Sequence, residues 1–275
     1  MEWFEGVLLG LVQGLTEFLP VSSSGHLMIA RELLGLEIPD SEAFLSFEII
    51  VHAATVLATI VVFRRQIWDL LKGLVRFRMN DQTDYVLKIC LSMVPVFVVG
   101  MFFKDEVTAL FEGLRTVGFA LLGTALLLVL SDFLSAGGDK LCKAQREGYR
   151  NGISWWQALL VGLAQSIAVI PGLSRSGSTI ATGLLGGVRR SDMAQFSFLM
   201  VLVPILGEAF LDLVGGGFSQ SACVIGAPAL LLGFAAAFLS GLCACKWMIS
   251  IVRKASLKWF ALYCAAIGIL TLVLC

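Results

Sequence analysis

Two polar stretches interrupt an otherwise apolar chain, and together they hold the residue types that phosphate hydrolysis needs. The first runs Gln13-Gly-Leu-Thr-Glu17-Phe-Leu-Pro20-Val-Ser22-Ser23-Ser24-Gly25-His26, bringing a carboxylate, three consecutive hydroxyls and an imidazole. The second runs Pro171-Gly-Leu-Ser174-Arg175-Ser176-Gly177-Ser178-Thr179. Ser23 and His26 are three residues apart at an expected helix start, a spacing within mutual reach. His26 can therefore activate a serine nucleophile or protonate a departing phosphate. Glu17, with Gln13, offers hard oxygen ligands for Mg2+ bridging phosphates, Ca2+ being the alternative cation. Arg175 supplies a planar fork suited to phosphate. Ser22, Ser174, Ser176 and Thr179 add hydroxyls, and Gly25 and Gly177 let backbone approach a ligand closely. Structural uses compete with each role: Glu17 can be glue for Arg175, His26 a core histidine, and serines pack and cap between membrane helices. Glu48 and His52, four apart on one helix face, read as supports behind the catalytic groups or as structural residues rather than as catalytic ones.

Such residues need elements to carry them. Pro20 ends the helix entering the first break, and the serines after it are helix caps. Residues 3–19 and 24–35 form a helix–break–helix hairpin, and residues 155–170 and 177–188 form another around Pro171. Lipid tolerates non-helical backbone only where protein or a wet cavity surrounds it, so both read as re-entrant hairpins with a site at their tips. Each half-helix starting at a break brings free N–H groups and partial positive charge. Arg175 at that depth costs at least roughly 2.5–3.5 kcal/mol, which a bound anion or Glu17 would offset.

The breaks are related. Gly10-Leu-Val-Gln13 matches Gly162-Leu-Ala-Gln165, twelve residues separate Gln13 from Gly25 and Gln165 from Gly177, and Ser46-Phe47 recurs as Ser197-Phe198. This is internal duplication at an offset near 152 residues. The expected organisation is a first repeat over 1–135, a linker over 136–154 and a second repeat over 155–275. Full spans are expected near 46–63, 86–103, 117–134, 194–213, 225–245 and 258–275, with an acidic exposed connection at 31–45 and an interfacial amphipathic helix at 64–80. The fold class is thus an all-α polytopic membrane protein with about six full spans and two re-entrant hairpins.

Composition agrees. Of 275 residues 58% are hydrophobic and only 15% charged, against about 25% charged in soluble domains. The net charge is zero, so no nucleic-acid partner is expected. The seven cysteines lack metal-ligand spacing and read as small hydrophobes. The acidic N-terminus lacks the basic region of a signal peptide and suits an external start. Loops at 64–88, 136–154, 188–193 and 246–258 hold sixteen of the twenty Lys and Arg residues, and the alternate connections hold three. That bias puts both termini outside and inverts the second half relative to the first. The two hairpins then enter from opposite faces and meet near the midplane.

At these residues the chain resembles the bacterial undecaprenyl-diphosphate phosphatase family of the bacitracin-resistance type. The two stretches match its signature motifs, and the resemblance extends over essentially the whole length. It implies an inner-membrane enzyme that hydrolyses undecaprenyl diphosphate to undecaprenyl phosphate and inorganic phosphate, recycling the lipid carrier for cell-wall synthesis. It also implies Glu17, Ser23, His26, Ser174, Arg175 and Thr179 as active-site residues opening to the periplasm. The family's acidic motif begins with Glu or Gln; this chain has Gln13, leaving Glu17 as the only carboxylate metal ligand from that motif. The resemblance leaves open whether Ser23 or His26 attacks phosphorus, and whether the protein is a monomer or a homodimer. The rival class is a transporter or flippase of a lipid phosphate, whose inverted repeats would need the same anion clamp but not the Ser-His-Glu set.

Overall fold

The computed structural model describes residues 1–36, 41–103, 113–135, 152–215, 225–254 and 256–274. Most of the linker expected at 136–154 lies outside them. The described residues form helices α1 (Trp3–Thr16), α2 (Ser23–Leu33), α3 (Ser41–Val62), α4 (Arg64–Val75), α5 (Asp81–Phe102), α6 (Leu114–Ser135), α7 (Trp155–Ile167), α8 (Arg175–Leu185), α9 (Arg190–Met200), α10 (Leu202–Gly215), α11 (Ala227–Lys254) and α12 (Lys258–Leu274). Among the described residues, five segments are long and apolar enough to cross a membrane: Phe44–Val62, Asp81–Phe102, Leu114–Leu134, Arg190–Leu211 and Ala227–Ile251; Lys258–Leu274 is a shorter apolar helix. The chain is a polytopic all-α membrane protein.

The two hairpins are α1–α2 and α7–α8. Helix α1 packs on α11 and α7 on α5; α3 packs on α11, and α9 and α10 on α5; α6 packs on α12 and α3 on α10. Exchanging α1, α3, α5 and α6 for α7, α9–α10, α11 and α12 maps these pairs onto one another, whereas the packing of α6 on α8 and of α4 on α5 has no comparable counterpart among the described residues. Close approach of backbones makes the hairpin contacts possible. A Cβ on Gly10 would lie 2.2 Å from the Gly233 carbonyl oxygen, and one on Gly162 would lie 2.4 Å from that of Ser92. These matched glycines let each hairpin's first helix seat against a neighbour where apolar burial gives no net drive, because lipid is equally apolar.

Several boundaries differ from the sequence expectation. Residues 41–45, expected in an exposed connection, are the first turns of α3. The span expected over 194–213 is two helices separated at Val201. Pro204 explains the break: it has no N–H for the Met200 carbonyl, and its ring clashes with that carbonyl in a continuous helix. Helix α11 runs on to Lys254, so most of the expected 246–258 loop is helical. Lys88, counted with the loop charges, lies inside α5 with its side chain 1% exposed and 2.5 Å from Asp84; setting it aside leaves fifteen basic residues in the four segments and does not change the sign of the bias. The amphipathic helix forms as α4, ending at Val75. All six tryptophans are exposed, as lipid-interface anchors require. Cys245 and Cys264 are buried hydrophobes, whereas Cys90 and Cys243 lie exposed on apolar helices; the other three cysteines fall outside the described residues.

Candidate active site

The two breaks are capped alike, although the residue with positive φ falls at Ser22 in the first and at Gly172 in the second. Ser22 caps α2 by accepting the Gly25 N–H at 3.3 Å, and Ser174 caps α8 by accepting the Gly177 N–H at 3.0 Å. Small residues let the tips touch: a Cβ on Gly25 would lie 3.0 Å from the Gly172 Cα. Gly172 has φ of +90°, and Ser22 holds φ of +72° without glycine's freedom, a conformation that costs of order 1–3 kcal/mol and must be held by its surroundings. The first residue of α2 is then Ser23, and the first residue of α8 is Arg175. Both reach the same carboxylate.

That carboxylate is Glu17, which caps the C-terminus of α1 and is 8% exposed. Its Oε1 accepts Arg175 Nη2 at 2.7 Å. Its Oε2 accepts the Ser23 hydroxyl at 2.5 Å and the Gln13 amide at 2.9 Å. His52 of α3 brings Nε2 to 3.3 Å from the same Oε2. A serine hydroxyl donating to a charged carboxylate is short and strong, and it gives the proton a place to go if the serine attacks. The ion pair with Arg175 offsets the cost of burying either charge alone.

His26 does not join this cluster by hydrogen bond. Its Nδ1 lies 2.7 Å from the Ser22 carbonyl oxygen, which only accepts, so Nδ1 carries a proton. Its Nε2 lies 2.8 Å from the Tyr263 hydroxyl, and the two rings stack with centroids 5.6 Å apart. Helical spacing brings residues 23 and 26 to one end of α2, but their polar groups turn to different partners.

The remaining hydroxyls divide into those facing the gap and those holding it. Ser176 donates to the Leu19 carbonyl at 3.0 Å, tying one break to the other, and is partly exposed. Thr179 turns away: its hydroxyl bonds its own helix and lies 2.6 Å from the Ser197 hydroxyl of α9. Ser174 is 1% exposed and serves as a cap. Thr124 of α6, which sequence reading passed over, accepts the Ser174 N–H at 2.9 Å and donates to the Gly172 carbonyl at 3.2 Å, fixing the second break. Beside Glu17, Arg175 and Ser176 lies a small, partly open recess of about 20 Å³ whose other wall is apolar, with Val56, Phe198, Val201 and Ile205. The break at Val201 forms part of that wall. A polar end beside an apolar one suits an amphiphile with a phosphate head.

No group of three or more His, Cys, Asp or Glu side chains is placed to hold a metal among the described residues. Two oxygens are nonetheless suited to a hard cation. Gln13 Oε1 is buried and unpartnered, and Glu17 Oε1, engaged with Arg175, keeps a second lone pair. Mg2+ takes few protein oxygens when substrate phosphates and water complete its shell, and this donor set fits that mode.

Comparison with known proteins yields one family. Residues 6–270 match the family model described as bacitracin resistance protein BacA. A Bacteroides fragilis protein named undecaprenyl-diphosphatase is 51% identical over 99% of this chain and 98% of its own length. Proteins of the same name from Parabacteroides distasonis and Christiangramia forsetii are 51% and 44% identical, each over 99% of this chain and 98% of the relative.

Proposed function

The chain belongs to the bacitracin-resistance family of undecaprenyl-diphosphatases, and on that premise we propose that it is a multi-pass membrane phosphatase hydrolysing undecaprenyl diphosphate to undecaprenyl phosphate and inorganic phosphate. The observation that carries the reading is the Ser23 hydroxyl 2.5 Å from Glu17 Oε2, with Arg175 on the other oxygen. Ser23 Oγ attacks the terminal phosphorus and its proton passes to Glu17. The bond from that phosphorus to the bridging oxygen breaks, and undecaprenyl phosphate leaves. Water then hydrolyses the phosphoserine, releasing phosphate and restoring the hydroxyl. This assigns the base differently from the Ser23–His26 pairing that spacing suggests, because the hydroxyl donates to Glu17 and the His26 nitrogens are engaged elsewhere. Arg175 and the N-termini of α2 and α8 stabilise charge growing on the phosphoryl oxygens. Ser176, partly exposed at that gap, adds a hydroxyl, while Ser22, Ser174 and Thr179 hold the breaks in shape. Glu17 and Gln13 would hold Mg2+, or Ca2+ in its place, which would supply Lewis-acid polarisation of the phosphate. The lipid tail follows the apolar wall of the recess into the membrane.

Phosphate release from undecaprenyl diphosphate by the protein in detergent tests this reading, run with and without chelator. Release that chelator suppresses and Mg2+ restores is the expected result. Absence of release with metal present would leave the transporter reading.

The repeats are 1–135 and 155–275, inverted about the linker at 136–154, a reading that the exchangeable packing pairs support. The enzyme resides in the bacterial inner membrane with its site facing the periplasm, and the loops bearing the basic residues are cytoplasmic. Impermeant thiol labelling of intact cells, on a background without the native cysteines, should spare a cysteine placed at residue 78 and label one placed at residue 218. The reverse pattern would invert the topology.

A further inference from the structure

We propose that His52 is a positioning residue of the phosphatase reaction: anchored on α3, its imidazole holds Glu17 in the orientation that receives the Ser23 proton. The inference rests on the phosphatase reading above. His52 belongs to neither polar break and lies in the middle of a membrane-spanning helix, where an ionisable side chain is costly and needs a partner. Both ring nitrogens have one. Nδ1 lies 2.8 Å from the Glu48 carbonyl oxygen, which only accepts, so this nitrogen donates and the ring cannot turn over without losing the bond. Nε2 is thereby directed to Glu17 Oε2 at 3.3 Å, and it donates there in the imidazolium form, in which both ring nitrogens carry a proton. Thr55, one turn along, donates its hydroxyl to the His52 carbonyl at 2.7 Å, and α3 is packed against α1 and α11. The imidazole is therefore presented on a fixed helix.

What it touches is the oxygen that matters. Glu17 Oε2 accepts the Ser23 hydroxyl and the Gln13 amide, and Oε1 is drawn the other way by Arg175. Ser23 and Gln13 hold Oε2 from α2 and α1, and His52 is the partner from the α3 side that keeps the carboxylate from turning toward the guanidinium. The arrangement differs from a nucleophile–base–orienter triad in that the base is the carboxylate and the orienting group an imidazole. His52 is 16% exposed and acts through Glu17 rather than on the substrate.

Two variants of equal length separate this role from packing. His52→Gln keeps an N–H donor that reaches Glu17, and His52→Met fills the same space without one. His52→Met should lower kcat for undecaprenyl diphosphate about 10- to 100-fold with KM changed less than about threefold, the range seen when a partner orienting a first-contact carboxylate is lost. His52→Gln should return kcat to within about threefold of the parent chain. Thermal unfolding in the same detergent checks that each variant is folded. Equal kcat for the Gln and Met variants, both folded, would overturn the proposal and make the ring a space-filler. A loss confined to KM would overturn it too, making His52 a substrate contact. Should Met fail to fold, a folded Gln variant with kcat reduced as far as 100-fold would suffice to contradict it. Absence of phosphate release by the parent chain would instead strike the phosphatase reading itself.

Discussion

Ser23→Ala should leave a folded protein whose turnover of undecaprenyl diphosphate falls by roughly 10³-fold or more, the scale of losing an attacking nucleophile. The hydroxyl is the first residue of α2 and points at Glu17 Oε2. Alanine suits a helix start sterically and leaves the cap intact, because Ser22 rather than Ser23 accepts the Gly25 N–H. The loss should therefore appear in kcat and not in thermal stability. His26→Ala provides the contrast. It breaks the contacts to Ser22 and Tyr263 and leaves the Ser23–Glu17 bond in place, so it should retain measurable turnover. Phosphate release assayed on both variants at saturating substrate decides. If His26→Ala is the dead variant and Ser23→Ala retains turnover, the histidine is the attacking group.

Arg175→Lys should lower turnover by about 10² to 10³-fold, the scale of losing one preorganised charge-stabilising donor, without unfolding the protein. The guanidinium spends one nitrogen on Glu17 Oε1 and has four further N–H groups from the same planar fork for phosphate. A lysine ammonium is a compact point charge on a mobile stem. It can satisfy Glu17 or the phosphate, but it cannot hold both in fixed geometry. The carboxylate remains compensated, so stability should change little. Measured kcat and melting temperature together check this. Near-normal turnover in the lysine variant would mean that Arg175 provides charge alone.

The site was legible where its construction is local. Pro20 and Pro171 end helices, Ser22 and Ser174 cap the next ones, and glycines three residues later complete each cap; all of this is written within a few residues. The equal spacing of the two breaks pointed to tips that meet, and Gly25 and Gly172 do touch. The pairing of Glu17 with Arg175, 158 residues apart, was readable because an arginine at membrane depth demands a partner.

What the sequence did not convey was which hydroxyl faces which neighbour. Ser23 and His26 share a helix end, yet the positive φ of Ser22 re-aims the chain at that point, and Ser23 finds Glu17 instead. Thr179 looks like a site hydroxyl by its place in the motif, but Ser197 claims it from α9. His52, Tyr263 and Thr124 arrive from α3, α12 and α6. Tyr263 and Thr124 carry no local mark, and spacing picks out His52 beside Glu48 without showing that its partner is Glu17, because these roles exist only through tertiary contact. The break at Val201 did have a local signal in Pro204, masked by the high hydropathy of the segment around it. Chain order also misjudged charge: Lys88 lies among loop residues in sequence but inside a helix in space.

The central claim is that Ser23 attacks phosphorus with its proton passing to Glu17, and trapping the phosphorylated enzyme tests it most directly. The purified protein is mixed with undecaprenyl diphosphate carrying radiolabel in the terminal phosphate, quenched in acid within the first turnover, and digested. A phosphoserine ester survives acid, whereas a phosphohistidine does not. The account predicts acid-stable label on the peptide containing Ser23, absent from Ser23→Ala and present in His26→Ala. Acid-stable label persisting in Ser23→Ala, or an acid-labile adduct lost only in His26→Ala, would contradict it.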